Sequence, residues 1–166
     1  MKIYTPDYNG KVDENIPMIF LAGPIVNSFD WQSYAIQIFT ELNINDKKNF
    51  NIANPRLETN LFDQLNQVNW ESRFLKYAGN NGMILFWLSK RDDTPPSNRS
   101  YARTSRFELA EWIVKSSFND FKNIAIGMDE RFDGMEYIKI RLNDYNYPHN
   151  VPTNLRYLIK QVYNRL

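Results

Sequence analysis

The run MILFWL at residues 83–88 decides the fold, because six apolar residues follow one another without a polar alternation. A strand with one wet face alternates apolar and polar side chains, whereas an unbroken apolar run suits a strand covered on both faces inside a parallel sheet. This is the strongest strand signal in the chain and is expected near the centre of a sheet. The stretch before it, residues 63–78, reads as a helix. On it Glu71 shares a face with Phe74, Leu75 and Ala78, so a carboxylate points toward the apolar side and needs a partner or a purpose. A salt bridge at the helix edge is the plain alternative.

The stretch after it, residues 89–103, is polar and carries Asp92, Asp93, two prolines and four basic side chains. Its length suits a lid or binding loop better than a plain linker. A helix is expected from Thr104 to about Ser117, with Phe107, Ala110, Ile113 and Val114 facing inward. The segment TSRFELAEW at residues 104–112 then places Glu108 in the first turn. Two readings of Glu108 stand side by side: a capping box in which Ser105 caps the helix and Glu108 bonds back to it, or a carboxylate with a chemical task. Glu111, one turn on, reads as a solvent-facing charge.

Farther out, MIFLA at residues 18–22 is a second buried run, ended by Gly23 and Pro24. Trp31, Tyr34, Ala35, Ile38, Phe39 and Leu42 lie on one helical face, capped by Ser28 or Asp30. Residues 50–53 form a weaker strand closed by Asn54 and Pro55, and residues 123–128 another strand. Residues 136–141 suit either a strand or a helical turn. Thr153 is expected to cap a final helix built on Leu155, Leu158, Ile159, Val162 and Leu166. Residues 1–17 are polar and interrupted by proline and glycine, as in an arm laid over the body. The alternation implies one domain over residues 1–166: an α/β open sheet, mainly parallel, of about five strands with helices on both faces, Rossmann- or flavodoxin-like.

Composition narrows the function. Twenty basic and nineteen acidic residues leave a formal charge of +1, and no like-charge stripe suits a nucleic acid polymer. The chain has no cysteine and one histidine, His149, so thiol nucleophiles, thiolate metal sites and histidine clusters are excluded. Catalysis would fall to carboxylate, hydroxyl, lysine or tyrosine groups, with no cofactor expected. The longest apolar runs are far too short to span a bilayer, which implies a soluble, cytoplasmic protein with no membrane partner. Ligands of parallel sheets sit at the carboxyl ends of the strands, here Gly23 to Asn27, Asn54 to Arg56 and the 89–108 stretch. No glycine-rich phosphate fingerprint accompanies them, which argues against a dinucleotide or ATP.

Several motifs in order resemble the nucleoside 2-deoxyribosyltransferase-like family: IFLAGPI at residues 19–25 followed by Trp31 and Gln32, NPR at 54–56, QVNWE at 67–71, ILFWL at 84–88, and the 104–112 segment. The resemblance covers most of the chain and implies a Rossmann-like fold, cleavage and re-formation of N-glycosidic bonds, and a dimer or larger assembly in which a neighbour completes the site. It places Glu108 at the family's nucleophilic glutamate. It also implies departures. Ala110 stands where members usually have glycine, Phe20 stands where a tyrosine orients the nucleophile, and Gly79 with Asn80 and Asn81 replaces a second strand-end acid.

Retaining displacement at C1′ of a 2′-deoxynucleoside needs two carboxylates with different tasks. Glu108 is assigned as nucleophile, held ionised by the positive end of its helix. Asp92 or Asp93 is assigned to the leaving base, and Glu71 to sugar hydroxyls or base. Asn54 and Arg56 form a wall, while the Gly23–Pro24–Ile25 turn allows close approach of backbone to sugar. Two alternatives remain open: hydrolysis of a nucleoside 5′-monophosphate, with Arg103 and Arg106 gripping the phosphate at the helix start and Thr104 beside them as a substrate-binding residue, and a sensor that binds a nucleoside or nucleotide derivative without turning it over.

Overall fold

The structure, a computed structural model, describes residues 1–8, 10–57, 64–92 and 100–166. Its elements are β1 (Ile3–Tyr4), β2 (Met18–Ala22), α1 (Trp31–Asp46), β3 (Asn51–Ala53), α2 (Gln64–Asn80), β4 (Gly82–Leu88), α3 (Arg103–Ser117), β5 (Ile124–Met128), α4 (Met135–Asp144) and α5 (Leu155–Arg165). The strands form one five-stranded sheet in the order β1-β3-β2-β4-β5, every pairing parallel. The apolar runs form β2 and β4 because each needs cover on two sides. Phe20, Ile84, Phe86 and Ile126 pack under α2, α3 and α4, while Ile19, Leu21, Leu85 and Trp87 pack under α1 and α5. Each large side chain so buried contributes about 1.5–3 kcal/mol of transfer free energy, so this pair of strands anchors the molecule.

The structure corrects several boundaries and faces. The arm contributes an edge strand, β1, too short for its period to show; its Tyr4 is buried. The cap of α1 is Asp30, which accepts from Ser33 N–H at 3.0 Å, and Tyr34 lies outward. Residues 136–141 are helical, inside α4, since Ile138 and Leu142 bury one turn apart. The cap of α5 is Asn154 and not Thr153, whose hydroxyl donates to Glu130. On α3 the buried residues are Ser105, Leu109, Trp112, Ile113 and Ser116, whereas Phe107, Ala110 and Val114 face outward.

The outer edge of β5 is closed by side chains and loop. Arg165 donates to the Ile124 carbonyl at 3.3 Å, Ile126 N–H donates to Tyr147 Oη at 3.2 Å, and Met128 N–H donates to the Pro152 carbonyl at 3.1 Å. Behind α2, the arm is tied by Tyr77 to the Asp13 carbonyl, by Asn81 to the Glu14 carbonyl and by Arg73 to the Gly10 carbonyl. No helix among the described residues is long and apolar enough to cross a membrane.

Candidate functional site

Two helices that return from the carboxyl to the amino edge of the sheet, α2 and α3, leave a groove of about 930 Å³ between them. Val68, Leu75, Phe107 and Trp112 give it apolar walls, and Glu71, Glu108 and Glu111 gather along it. Its width depends on Gly79, where an added Cβ would stand 2.3 Å from the Trp112 ring. Lys115 lies over that ring at 4.8 Å and pairs with Glu111.

Glu108 is the sixth residue of α3, since the helix begins at Arg103. Ser105 is therefore an interior, buried helical residue and no capping box forms; Ala102 holds the cap position without a side-chain bond. The expectation that the helix dipole keeps Glu108 ionised is overturned. The dipole acts within the first turn, whereas Glu108 lies beyond it, and burial, then the charges of Glu71 and Glu111, push its carboxyl up to about 8. Glu71 is also raised, by burial, and a hydrogen bond from Gln67 opposes the rise. Both acids are half-buried. The groove thus holds a carboxyl that keeps its proton at neutral pH beside one that is bonded to an amide.

Among the other residues expected at the site, Arg103 and Thr104 line the groove at the exposed start of α3. Arg106 does not line it: its guanidinium donates to the Asp133 carbonyl and stacks over Phe132 at 4.6 Å. Asp92 lies away from the lining, its N–H bonded to the Asn27 carbonyl. Asp93 lies outside the described residues, as do residues 94–99 of the expected lid.

The first-strand turn and the NPR segment join each other instead of the groove. At Gly23 an added Cβ would meet the Trp87 carbonyl at 2.2 Å and the Trp31 ring at 2.9 Å, so the glycine admits β4 and α1 closely, and not a ligand. The Pro24 carbonyl accepts from Trp31 Nε1 at 3.0 Å, and the Ile25 carbonyl from Arg56 at 3.3 Å. Asn54 Oδ1 accepts from Arg56 N–H at 3.1 Å, while the Arg56 guanidinium pairs with Asp30 at 3.0 Å and binds Gln32. The crevice between the carboxyl ends of β2 and β4 is occupied by buried hydroxyls: Ser28 bonds Ser89, and Tyr101 donates to the carbonyls of Ser89 at 3.0 Å and Lys90 at 2.9 Å.

One residue connects the two regions. Gln67 Nε2 donates to the Pro55 carbonyl at 3.0 Å and to Glu71 Oε1 at 2.7 Å. Its spacing of four residues before Glu71 on a helix was the available sequence signal. Glu111 is exposed, as a solvent-facing charge should be, yet its charge acts on Glu108. Among the described residues no group of three or more His, Cys, Asp or Glu side chains is placed to hold a metal. No family model matches the chain, and a search of curated proteins gave no match.

Proposed function

We propose that the α2–α3 groove cleaves and re-forms the N-glycosidic bond of 2′-deoxynucleosides through a glycosyl ester on Glu108. The observation that carries this reading is the pairing of Glu71 and Glu108 in one half-buried groove with apolar walls, which supplies two carboxyls in different electrostatic states. In the displacement, ionised Glu108 attacks C1′, the C1′–N bond breaks with its electrons passing to the base, and the base takes a proton from Glu71. A second base or water then attacks C1′, releases Glu108 and returns the proton to Glu71. Glu71 takes the acid role first assigned to Asp92 and Asp93, because it lines the groove and Asp92 does not.

A second copy is the proposed macromolecular partner. Phe107, Val114 and Phe118 are exposed beside the groove. Along both helices Glu71, Glu108 and Glu111 precede Lys76 and Lys115, with Arg103 ahead of the acids at the start of α3, so a two-fold copy running the opposite way would set these lysines against the partner's acids. Nucleosides are cytoplasmic metabolites, and we place the activity there.

A nucleoside 5′-monophosphate as substrate, hydrolysed and not transferred, is the second reading; Arg103 beside the uncapped start of α3 favours it. A sensor without turnover is compatible with Phe20, which brings no hydroxyl and packs on Trp70 at 6.0 Å. The test is incubation with deoxynucleosides and their monophosphates, with and without a free base, followed by chromatography. Exchange of base supports transfer, free base with deoxyribose 5-phosphate formed without an added base supports hydrolysis, and intact ligand retained by the protein supports the sensor. Trapping with a 2-fluoro-substituted nucleoside is expected to leave a sugar adduct on the peptide containing Glu108; an adduct elsewhere overturns the assignment.

A further inference from the structure

We propose that Gln67 is a positioning residue that holds Glu71 as the ionised member of the Glu71–Glu108 pair and leaves Glu108 to carry the pair's single proton while the groove is empty. The inference rests on the two-carboxylate reading of the groove for its catalytic meaning, but not for its geometry.

Gln67 is 8% exposed, and its amide nitrogen donates to the Pro55 carbonyl and to Glu71. An amide nitrogen has two protons to give, and both are used. The reverse orientation would set its oxygen against the Pro55 carbonyl, which can only accept, so that partner fixes which way the amide points. The amide oxygen is buried with no partner, so nothing else orients the group. Its anchor is firm: Pro55 lies between Asn54 and Arg56, which are bonded to each other and, through Arg56, to Gln32 and Asp30. Glu71 thus receives a hydrogen bond from a fixed donor. Glu108 receives none among the described residues.

The other charges facing the pair do not reverse this difference. On α2 there is Lys76, and on α3 there are Arg103, Glu111 and Lys115. Lys115 is engaged by Glu111, and the one arginine of the neighbouring NPR segment is turned to Asp30. Burial favours the neutral form of both acids, the amide opposes it only at Glu71, and a charge on Glu71 then opposes a second charge on Glu108.

The consequence is a pair protonated in reverse. Displacement needs Glu108 ionised and Glu71 as proton donor, so one proton must pass from Glu108 to Glu71 before the C1′–N bond breaks, with no change of net charge. Gln67 makes that arrangement the minority form in the empty groove, and weakening its bond to Glu71 raises the reactive fraction.

The test is a titration of the ligand-free protein with 13C-labelled glutamate δ-carboxyls, following Glu71 and Glu108 by NMR with assignments from E71Q and E108Q. The pair is expected to titrate in two steps, and the side-chain amide protons of Gln67 are expected to follow the lower one. In Gln67→Met the lower step moves up; in Glu71→Gln the step of Glu108 falls toward the ordinary carboxylate range. If Gln67 amide protons follow the upper step, or the lower step stays in place in a folded Gln67→Met protein, the proposal is overturned. The amide signal is read in the unmutated protein, so a variant that fails to fold leaves the test intact. No turnover is required, so failure of the glycosyl-transfer reading appears separately, as the absence of base exchange. Where exchange is observed, the acidic limb of the kcat/KM profile is expected to move up in Gln67→Met, which a packing role alone would not produce.

Discussion

Glu108 carries a cost that depends on pH. Its ordinary value is 4.5 and its folded value is about 8, because burial and two neighbouring acids disfavour the charge. The folded state therefore holds a proton that the unfolded chain has released between those values, and stability falls as pH rises through that window. Above it the deficit is constant, on the order of 2 kcal/mol once the partial access of water to the groove is allowed for. Glu108→Gln cannot ionise, so relative to the natural protein it is expected to gain thermal stability from pH 5 to pH 8 and little below. Melting curves across that range check this; equal slopes for both proteins would mean that Glu108 titrates normally. In the same variant, base release is expected to fall by more than about 10³-fold, since an amide cannot form the glycosyl ester. Base release near the natural rate would reduce Glu108 to a groove residue.

At the scale of elements, Gly79 of α2 lets the Trp112 ring of α3 approach where both line the groove. Gly79→Ala gains about 1 kcal/mol of helix propensity but overpacks the contact by about 1–3 kcal/mol. A modest loss of stability is expected, with a shift in tryptophan emission and weaker nucleoside binding as the ring moves into the groove. Unchanged binding in a folded variant would show that the ligand does not reach this end of it. The sequence made β2 and β4 legible, since MIFLA and MILFWL admit few other fates. It did not settle α3, which has two apolar stripes: Phe107, Ala110 and Val114 on one, Leu109, Trp112 and Ile113 on the other. Periodicity detects both equally, and only packing on the sheet chooses the second. Residues 136–141 were ambiguous because EYIKIR satisfies a two-residue period as well as the helical one. Glu71 was legible from its company on one helix face. The bond from Gln67 was not, because the same spacing serves just as well in solvent.

For the whole molecule, the apolar strip beside the groove makes assembly testable. Phe118 is 85% exposed and lies just past the end of α3. Phe118→Glu is expected to leave the fold intact and move sedimentation toward the monomer, with loss of activity if the neighbour closes the groove. A natural protein already monomeric at working concentration would end this reading.

The closed edge of β5 bears on the same question from another direction. Tyr147→Phe leaves Ile126 N–H without its acceptor, at about 1–3 kcal/mol. It also opens a place at which a foreign strand could add to the sheet. At the opposite edge, β1 is two residues long and offers little to extend. With one margin sealed and the other vestigial, the sheet is a poor template for fibrils, and copies of this chain can meet through their helices without also nucleating cross-β growth.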